Sequence, residues 1–202
     1  MTYERPPDWR TGRIACKLVL MSTNAIDQFP TEFRLSNGAT VTIRQIRRED
    51  AALLVEMFHK LSPDSRRLRF HAYTENVPDE RIWREAIALS DLDPARQAAL
   101  VAVADADGRE QIAGVARFAR ATPDAIEAEA AVVVRDDFQR MGLGTHLLTL
   151  LVPLARSLGI EYLTGWVAAE NRHMLHVIGK TDLPLTRDTS AGETYIKISL
   201  SR

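Results

Sequence analysis

The sequence predicts an α/β protein built on a mixed, mostly antiparallel sheet of about seven strands with helices on both faces. The dipeptide Asn37-Gly38 separates two runs of alternating polar and apolar residues, which is a strong signal for a β-hairpin. A valine- and alanine-rich run over 126–135 then leads through a loop with two glycines into a leucine-rich helix, 144–158. Further strands and helices alternate after that helix, so the pattern indicates one sheet covered on both sides.

The other elements follow from apolar spacing and from helix-start signals. Ser62 followed by Pro63 is typical of a helix N-terminus, with the serine as the N-cap. The predicted elements after the hairpin are helices at 51–61, from 63, and at 78–89, strands at 98–104, 112–118 and 126–135, the helix 144–158, a strand at 162–167, a helix at 170–180, and strands at 183–185 and 194–200.

Length and composition favour one domain. With 202 residues, of which 46% are hydrophobic, the chain is long enough for one core. Residues 1–30 contain three prolines and no sustained periodicity, so we predict a weakly ordered N-terminal arm before a domain over 31–202. The net charge of −1 gives no general reason to expect a nucleic acid or a membrane as partner.

The expected compartment is the cytoplasm. The chain has a single cysteine, Cys16, so an internal disulfide is ruled out. The sequence also lacks an apolar run near the roughly 20 residues that a membrane-spanning helix needs.

The loop between the valine-rich strand and the leucine-rich helix is the strongest candidate site. A strand that turns through Gly142 and Gly144 into a helix leaves backbone N–H groups unpaired at the positive end of the helix dipole. Such a site binds phosphate, and a glycine lets a bulky diphosphate approach the main chain. The loop has no Lys-Ser/Thr after the glycines and no third glycine at dinucleotide spacing. The alternative is an ordinary strand-to-helix connection.

Three segments resemble one family. The pattern Gln/Arg-x-x-Gly-x-Gly, within 139–145, resembles the acyl-coenzyme A signature of the GCN5-related N-acetyltransferase (GNAT) superfamily. Residues 40–50 and 61–70 are similar to the start of the catalytic domain of bacterial protein lysine acetyltransferases. The segment 170–175 resembles the Asn-x-x-Met segment that begins the helix after the fifth main strand. The resemblance covers nearly all of 33–199.

This resemblance implies the GNAT fold and acetyl-CoA as the cosubstrate. It also implies that the acceptor amine attacks the thioester directly, without a covalent enzyme intermediate. The implied acetyl-CoA-binding residues are Val132, Val133 and Val134, through their backbone, Gln139, Arg140, Met141, Gly142, Leu143, Gly144 and Thr145 in the loop, and Asn171 beside the pantetheine arm.

Glu129 is the predicted general base. It lies ten residues before Gln139 and matches the glutamate that serves as base in the lysine acetyltransferase relatives. A carboxylate among apolar strand neighbours is costly to ionise, which also favours a proton acceptor. Glu127, on the same strand face, is the second candidate. The alternative is that both glutamates are solvated or paired with arginines.

The sequence departs from many relatives in one respect. The helix after Asn171 has no tyrosine at the position where a tyrosine of the relatives often protonates the departing thiolate. Water, His173 or His176 is left for that step.

Arg66, Arg67 and Arg69 form either a solvated helical face or a positive rim on the acceptor side.

The sequence therefore predicts an acyl-CoA-dependent N-acetyltransferase, and the resemblance implies a protein lysine as its acceptor. Acetylation of a small amine, such as a polyamine, amino acid or aminoglycoside, is the alternative enzyme. A non-catalytic acyl-CoA sensor is the alternative of another class. No metal is predicted, and a homodimer stays open.

Overall fold

The computed structural model describes residues 28–70 and 77–201, and the predicted N-terminal arm falls almost entirely outside this range. The strands are β1 (Thr31–Arg34), β2 (Thr40–Gln45), β3 (Gln97–Ala106), β4 (Arg109–Ala119), β5 (Glu127–Val134), β6 (Tyr162–Ala168), β7 (Leu185–Ser190) and β8 (Glu193–Ser199). The helices are α1 (Ala51–Lys60), α2 (Pro63–Phe70), α3 (Asp79–Ser90), α4 (Leu143–Ser157) and α5 (Arg172–Gly179). The predicted fold class is confirmed.

One sheet contains all the described strands in the order β1-β2-β3-β4-β5-β6-β8-β7. Every neighbouring pair is antiparallel except β5 and β6, which are parallel. The sheet thus has eight strands rather than about seven. The strand predicted at 183–185 was misplaced, because β7 begins at Leu185. Its other residues are all polar and exposed, so this edge strand shows no apolar alternation.

The Asn-Gly hairpin forms as predicted, because local hydrogen bonds fix its turn. The N–H of Leu35 donates to the carbonyl of Ala39 at 2.8 Å. Gly38 has φ = 90°, a conformation that favours glycine, and the Asn37 side chain accepts from the Ala39 N–H at 3.0 Å.

Side chains of β3 alternate between two cores, one on each face of the sheet. Leu100 and Ala102 pack in the core that contains the apolar side of α4. Val101 and Val103 pack in the second core, with the apolar sides of α1 and α3. Helices therefore cover both faces, as the period-2 pattern of the strands requires.

The sheet divides between β5 and β6. β5 pairs with β4 from Glu129 to Val134, but it pairs with β6 only from Glu127 to Glu129. Beyond Glu129 the two parallel strands share no register pairs, so the edge of β5 over 130–134 opens into a gap. The gap lies directly before the glycine loop.

Candidate active site

The glycine loop presents unpaired backbone N–H groups. Within the part of the chain that the structure describes, none of the N–H groups from Arg140 to Thr145 donates to a protein acceptor, and the first helical bond is from His146 N–H to the Gly142 carbonyl at 3.1 Å. Arg140 (φ = 60°) and Gly142 (φ = 85°) have left-handed backbones. Residues with alternating handedness turn successive N–H groups toward one concave point, which is an anion-binding arrangement.

Contacts with the β1–β2 hairpin hold this loop. The Met141 carbonyl accepts from the Ser36 N–H at 3.3 Å. The ring of His146, in the first turn of α4, stacks on the Phe33 ring with 4.0 Å between centroids. Leu143 is 1% exposed, so its side chain belongs to the core. The loop is therefore fixed before any ligand arrives.

A cavity of about 770 Å³ joins the glycine loop to the gap between β5 and β6. Its lining includes every predicted site residue except Met141 and Leu143, which contact the rest of the fold instead. These lining residues are Glu129, Val132, Val133, Val134, Gln139, Arg140, Gly142, Gly144, Thr145 and Asn171. The volume lies within the range of small-molecule and cofactor sites.

The open edge of β5 offers alternate backbone groups. The Arg135 N–H donates to the Ala113 carbonyl at 2.9 Å, and antiparallel ladders alternate between bonded and non-bonded pairs. Val133, paired with Val115, therefore uses its N–H and carbonyl within the sheet, whereas those of Val132 face the gap. The Val133 N–H and carbonyl point to β4, so they are not available for the predicted backbone contact with acetyl-CoA.

Gln139 and Asn171 both make defined bonds at the cavity. The Gln139 amide donates to the Val134 carbonyl at 3.0 Å and to Ser65 Oγ at 3.1 Å, so it closes one end of the open edge. Asn171 is the N-cap of α5, and its Oδ1 accepts from the Met174 N–H at 3.0 Å. Each side chain fixes the backbone beside the gap.

Glu129 lies at the opposite end of the gap from the loop. Its cross-strand partners are Ala119 on β4 and Thr164 on β6, and its side chain is exposed at the cavity wall. The expectation that apolar neighbours enclose this carboxylate is wrong. The reason is that its side chain projects from a sheet face that opens on the cavity, although the backbone is still paired with Thr164.

Two arginines face Glu129. Arg69, on α2, lines the cavity, and Arg117, on β4, is paired with Ala131 and shares the Glu129 face. Burial lowers the pKa of both guanidinium groups, and the charge of Glu129 acts in the opposite direction on each. Glu129 is therefore the counter-charge of a half-buried arginine pair.

The comparison with known proteins identifies the family. The model of the acetyltransferase (GNAT) family matches residues 56–180, more than half of the chain. The chain belongs to the GNAT family of acetyltransferases. Members of this family generally depend on acetyl-CoA.

Individual GNAT relatives agree with this assignment. The protein named acetyltransferase PA5475, from Pseudomonas aeruginosa, is 30% identical over 140 residues, which cover 69% of this chain and 73% of that protein. The GNAT domain of S. lividans PAT has a TM-score of 0.71 and 25% identity, over 84% of this chain and 96% of that one. The structure of yncA from Salmonella typhimurium, with its cofactor acetyl-CoA, has a TM-score of 0.57 and 20% identity, over 80% of this chain and 95% of that one.

The second candidate base of this GNAT protein is already paired. Glu127 makes a hydrogen-bonded ion pair with Lys197 on β8, and the Lys197 ammonium lies 4.1 Å from the centre of the Tyr162 ring. Glu127 is also absent from the cavity lining, so it makes a matched control for Glu129.

Basic side chains lie beside the glycine loop of the GNAT domain. Arg140, His173, His176 and Lys180 all line the cavity. Burial, helped by the charges of Arg140, His176 and Lys180, lowers the pKa of His173. The charges of Arg140 and Lys180 therefore provide the attraction for a phosphate-rich molecule such as coenzyme A.

Helix α2 forms one wall of the cavity, through Ser65, Leu68 and Arg69. Asp136 accepts from the Ser62 N–H at 2.9 Å, from Ser62 Oγ at 2.8 Å and from Ser65 Oγ at 2.7 Å. Arg67 forms an ion pair with Glu170, which precedes α5. Ser62 caps α2 as predicted, with its Oγ 3.2 Å from the Ser65 N–H.

Several residues of the site were missed in the sequence. Thr164 and Trp166 line the cavity, and Arg117 lies on the same sheet face as Glu129. All three belong to runs that are typical of strands, and their common face depends on strand register. The signal that points to Trp166 is a large aromatic residue in a strand next to small and polar ones.

Residues 28–70 and 77–201 hold no cluster of side chains suited to a metal and no helix long and apolar enough to cross a membrane.

Proposed function

We propose that this GNAT protein transfers the acetyl group of acetyl-CoA directly to a primary amine, with a protein lysine side chain as the acceptor and Glu129 as the general base. The observation that carries the proposal is one cavity that contains the unpaired N–H groups of the glycine loop, the open edge of β5 and the Glu129 carboxylate.

The glycine loop fits the diphosphate of acetyl-CoA. Its free N–H groups stand at the positive end of α4, and Gly142 and Gly144 have no side chain in the way. The cationic side chains of Arg140 and Lys180 add attraction at the rim. The gap beside Val132 suits the pantetheine arm, because an amide-bearing chain can pair with the open strand edge.

The free N–H of Val132 is the proposed donor to the oxyanion that develops on the thioester carbonyl. A fixed backbone donor needs no reorganisation during the reaction, which is why such donors accelerate acyl transfer. Glu129 takes a proton from the acceptor ammonium, so that the neutral nitrogen can attack the carbonyl carbon.

The transfer is balanced without a covalent enzyme intermediate. The nitrogen–carbon bond forms as the carbon–sulfur bond breaks, and an ammonium with acetyl-CoA becomes an acetamide, coenzyme A thiol and one released proton. Val177, Ile178 and Gly179 occupy the positions where relatives often carry a tyrosine. The exposed His176 or water is the proposed proton source for the departing thiolate.

Two alternatives share the same cavity. A small amine is an equally good nucleophile, and the acceptor side is open enough for either acceptor. A non-catalytic acyl-CoA sensor would use the loop alone. The exposed position of Glu129 at the cavity wall favours an enzyme over a sensor.

A single-turnover experiment separates these functions. The protein is loaded with radiolabelled acetyl-CoA and mixed with lysine-containing proteins and, separately, with polyamines, amino acids and aminoglycosides. We expect label on protein lysines. A sensor would bind acetyl-CoA and acetylate nothing, and a small-molecule enzyme would label only the soluble amines.

A further inference from the structure

Trp166, on β6, has a large apolar side chain that other residues cover only in part. Its residue is 53% exposed, and it lines the same cavity as Glu129. Large exposed aromatic residues at a cavity often mark a binding surface. Trp83, on α3, is also exposed, at 43%, but it does not line the cavity.

The register places Trp166 on the Glu129 side of the sheet. Glu129 pairs with Thr164, and Trp166 follows two residues later on the same face of β6. It therefore stands just beyond the point where β5 and β6 diverge. Glu129 and Trp166 therefore lie on one face of the sheet, on the two strands that border the gap.

A neighbouring ring supports the indole. Trp166 is the cross-strand partner of Tyr195 on β8, and the ring centroids are 5.0 Å apart with a tilt of 52°. Tyr195 is in turn paired with Asp188 on β7. A supported aromatic ring offers a fixed surface and loses little conformational freedom when a ligand binds.

The Glu193 carboxylate shares the sheet face of Trp166, and the Lys197 ammonium on that face is already paired with Glu127. Glu193 lies two residues before Tyr195 on the same face and lines the cavity, as does Glu129. Tryptophan gives the strongest cation–π attraction among the aromatic side chains, and the stem of a lysine packs on apolar surface. Arg69 also lines the cavity and interacts with the charge of Glu129, and an arginine charge there would instead attract a carboxylate.

We propose that Trp166 binds the acceptor, with its indole face against the alkyl chain and ammonium of an unbranched primary amine that it directs to Glu129. The acceptor class is therefore a terminal ammonium on a flexible chain, as in a lysine side chain, and not an α-amine next to a carboxylate. This inference rests on the proposed function, since it names the acceptor of the same site.

The first test compares steady-state kinetics of Trp166→Ala, Trp166→Phe and Trp83→Ala. The probe is Nα-acetyl-lysine N-methylamide, which has one amine and no carboxylate, at saturating acetyl-CoA. We expect Trp166→Ala to raise the KM for the probe roughly tenfold with little change in kcat, and Trp166→Phe to restore part of the loss. The KM for acetyl-CoA should stay within about twofold of wild type.

Trp83→Ala is the matched control, because it removes an equally exposed tryptophan from a helix outside the cavity. It should leave both KM values unchanged. An unchanged KM for the probe in Trp166→Ala would overturn the inference, and so would an equal rise in the KM for acetyl-CoA. Faster transfer to free glutamate than to the probe, insensitive to Trp166→Ala, would also overturn it, in favour of a carboxylate site at Arg69.

A binding measurement keeps this inference separate from the proposed transfer. The chain has three tryptophans, so the double variant Trp9→Phe, Trp83→Phe leaves Trp166 as the only indole. With coenzyme A present, Nα-acetyl-lysine N-methylamide should quench the fluorescence of Trp166 in a saturable manner, whether or not transfer occurs. If wild type acetylates no amine, the proposed function fails, and an absent quench would then overturn the Trp166 inference as well.

Discussion

Glu129 and Thr164 are the last residue pair that joins β5 to β6. On one side of this pair the sheet is continuous, and on the other the strands separate and leave the Val132 backbone free. The proposed base thus stands where the sheet ends its parallel pairing, next to the position proposed for the thioester.

Glu129→Gln should separate catalysis from binding. The amide keeps the size of the side chain and leaves the backbone pairing with Thr164 intact, but it cannot accept a proton. We expect kcat to fall roughly 100-fold or more, with acetyl-CoA affinity nearly unchanged by calorimetry. Glu127→Gln is the control and should keep most activity, because Glu127 is paired with Lys197. Lost acetyl-CoA affinity with normal turnover would show that Glu129 is not the base.

Gly142→Ala should weaken acetyl-CoA binding beyond its effect on stability. A side chain at φ = 85° is strained, which costs about 1–2 kcal/mol, and the loop must shift to relieve it. Gly108→Ala is the control, because Gly108 has φ = 79° in the β3–β4 turn and no atom within 4 Å of an added Cβ. Thermal unfolding should show similar losses in both variants. Only Gly142→Ala should lower acetyl-CoA affinity, and equal affinities in the two variants would contradict the loop assignment.

Asp136→Asn should loosen α2 and remove a source of acid sensitivity. Burial opposes ionisation of Asp136, but hydrogen bonds from the Ser62 N–H and from the Ser65 and Ser62 hydroxyls outweigh it and lower its pKa below 3.8. A carboxyl group with a lowered pKa stabilises the fold above its unfolded pKa, and that contribution is lost as pH falls through the folded pKa.

The measurement for Asp136 is urea unfolding between pH 3 and pH 7. Wild type should lose more stability than Asp136→Asn as the pH falls below about 4. The KM for the acceptor should also rise in the variant, because α2 carries Ser65 and Arg69 to the cavity wall. Parallel pH profiles in the two proteins would refute the role of Asp136.

Asp50→Asn should destabilise the fold without changing the cavity. Asp50 and Arg44 form a two-pronged ion pair, with both bonds at 2.7 Å and both side chains buried. The substitution leaves the buried Arg44 charge with only Glu110, at 3.4 Å, and breaking a buried ion pair typically costs about 3–5 kcal/mol. Denaturant unfolding should show this loss. The folded variant should bind acetyl-CoA as wild type does, since neither residue lines the cavity.

Features that depend on adjacent residues could be predicted from the sequence. The Asn37-Gly38 turn, the Ser62 cap and the unpaired N–H groups of the glycine loop are all fixed by local backbone preferences. The order of the elements then followed from apolar periodicity. For the same reason the family resemblance could be recognised from short motifs.

Features that depend on strand register could not be predicted. The exposure of Glu129 arises because its face of the sheet opens on the cavity, and the use of the Val133 backbone arises from the alternation of bonds with β4. Arg117 and Trp166 come from different strands and share a face only in the assembled sheet. No spacing within one strand encodes these relationships.

The most direct test of the account is an amide-resolved NMR titration of the protein with coenzyme A. The account predicts that the backbone N–H signals from Arg140 to Thr145, and that of Val132, shift together and saturate with the affinity measured by calorimetry. Binding by calorimetry with those signals unmoved, or no binding at all, would contradict it.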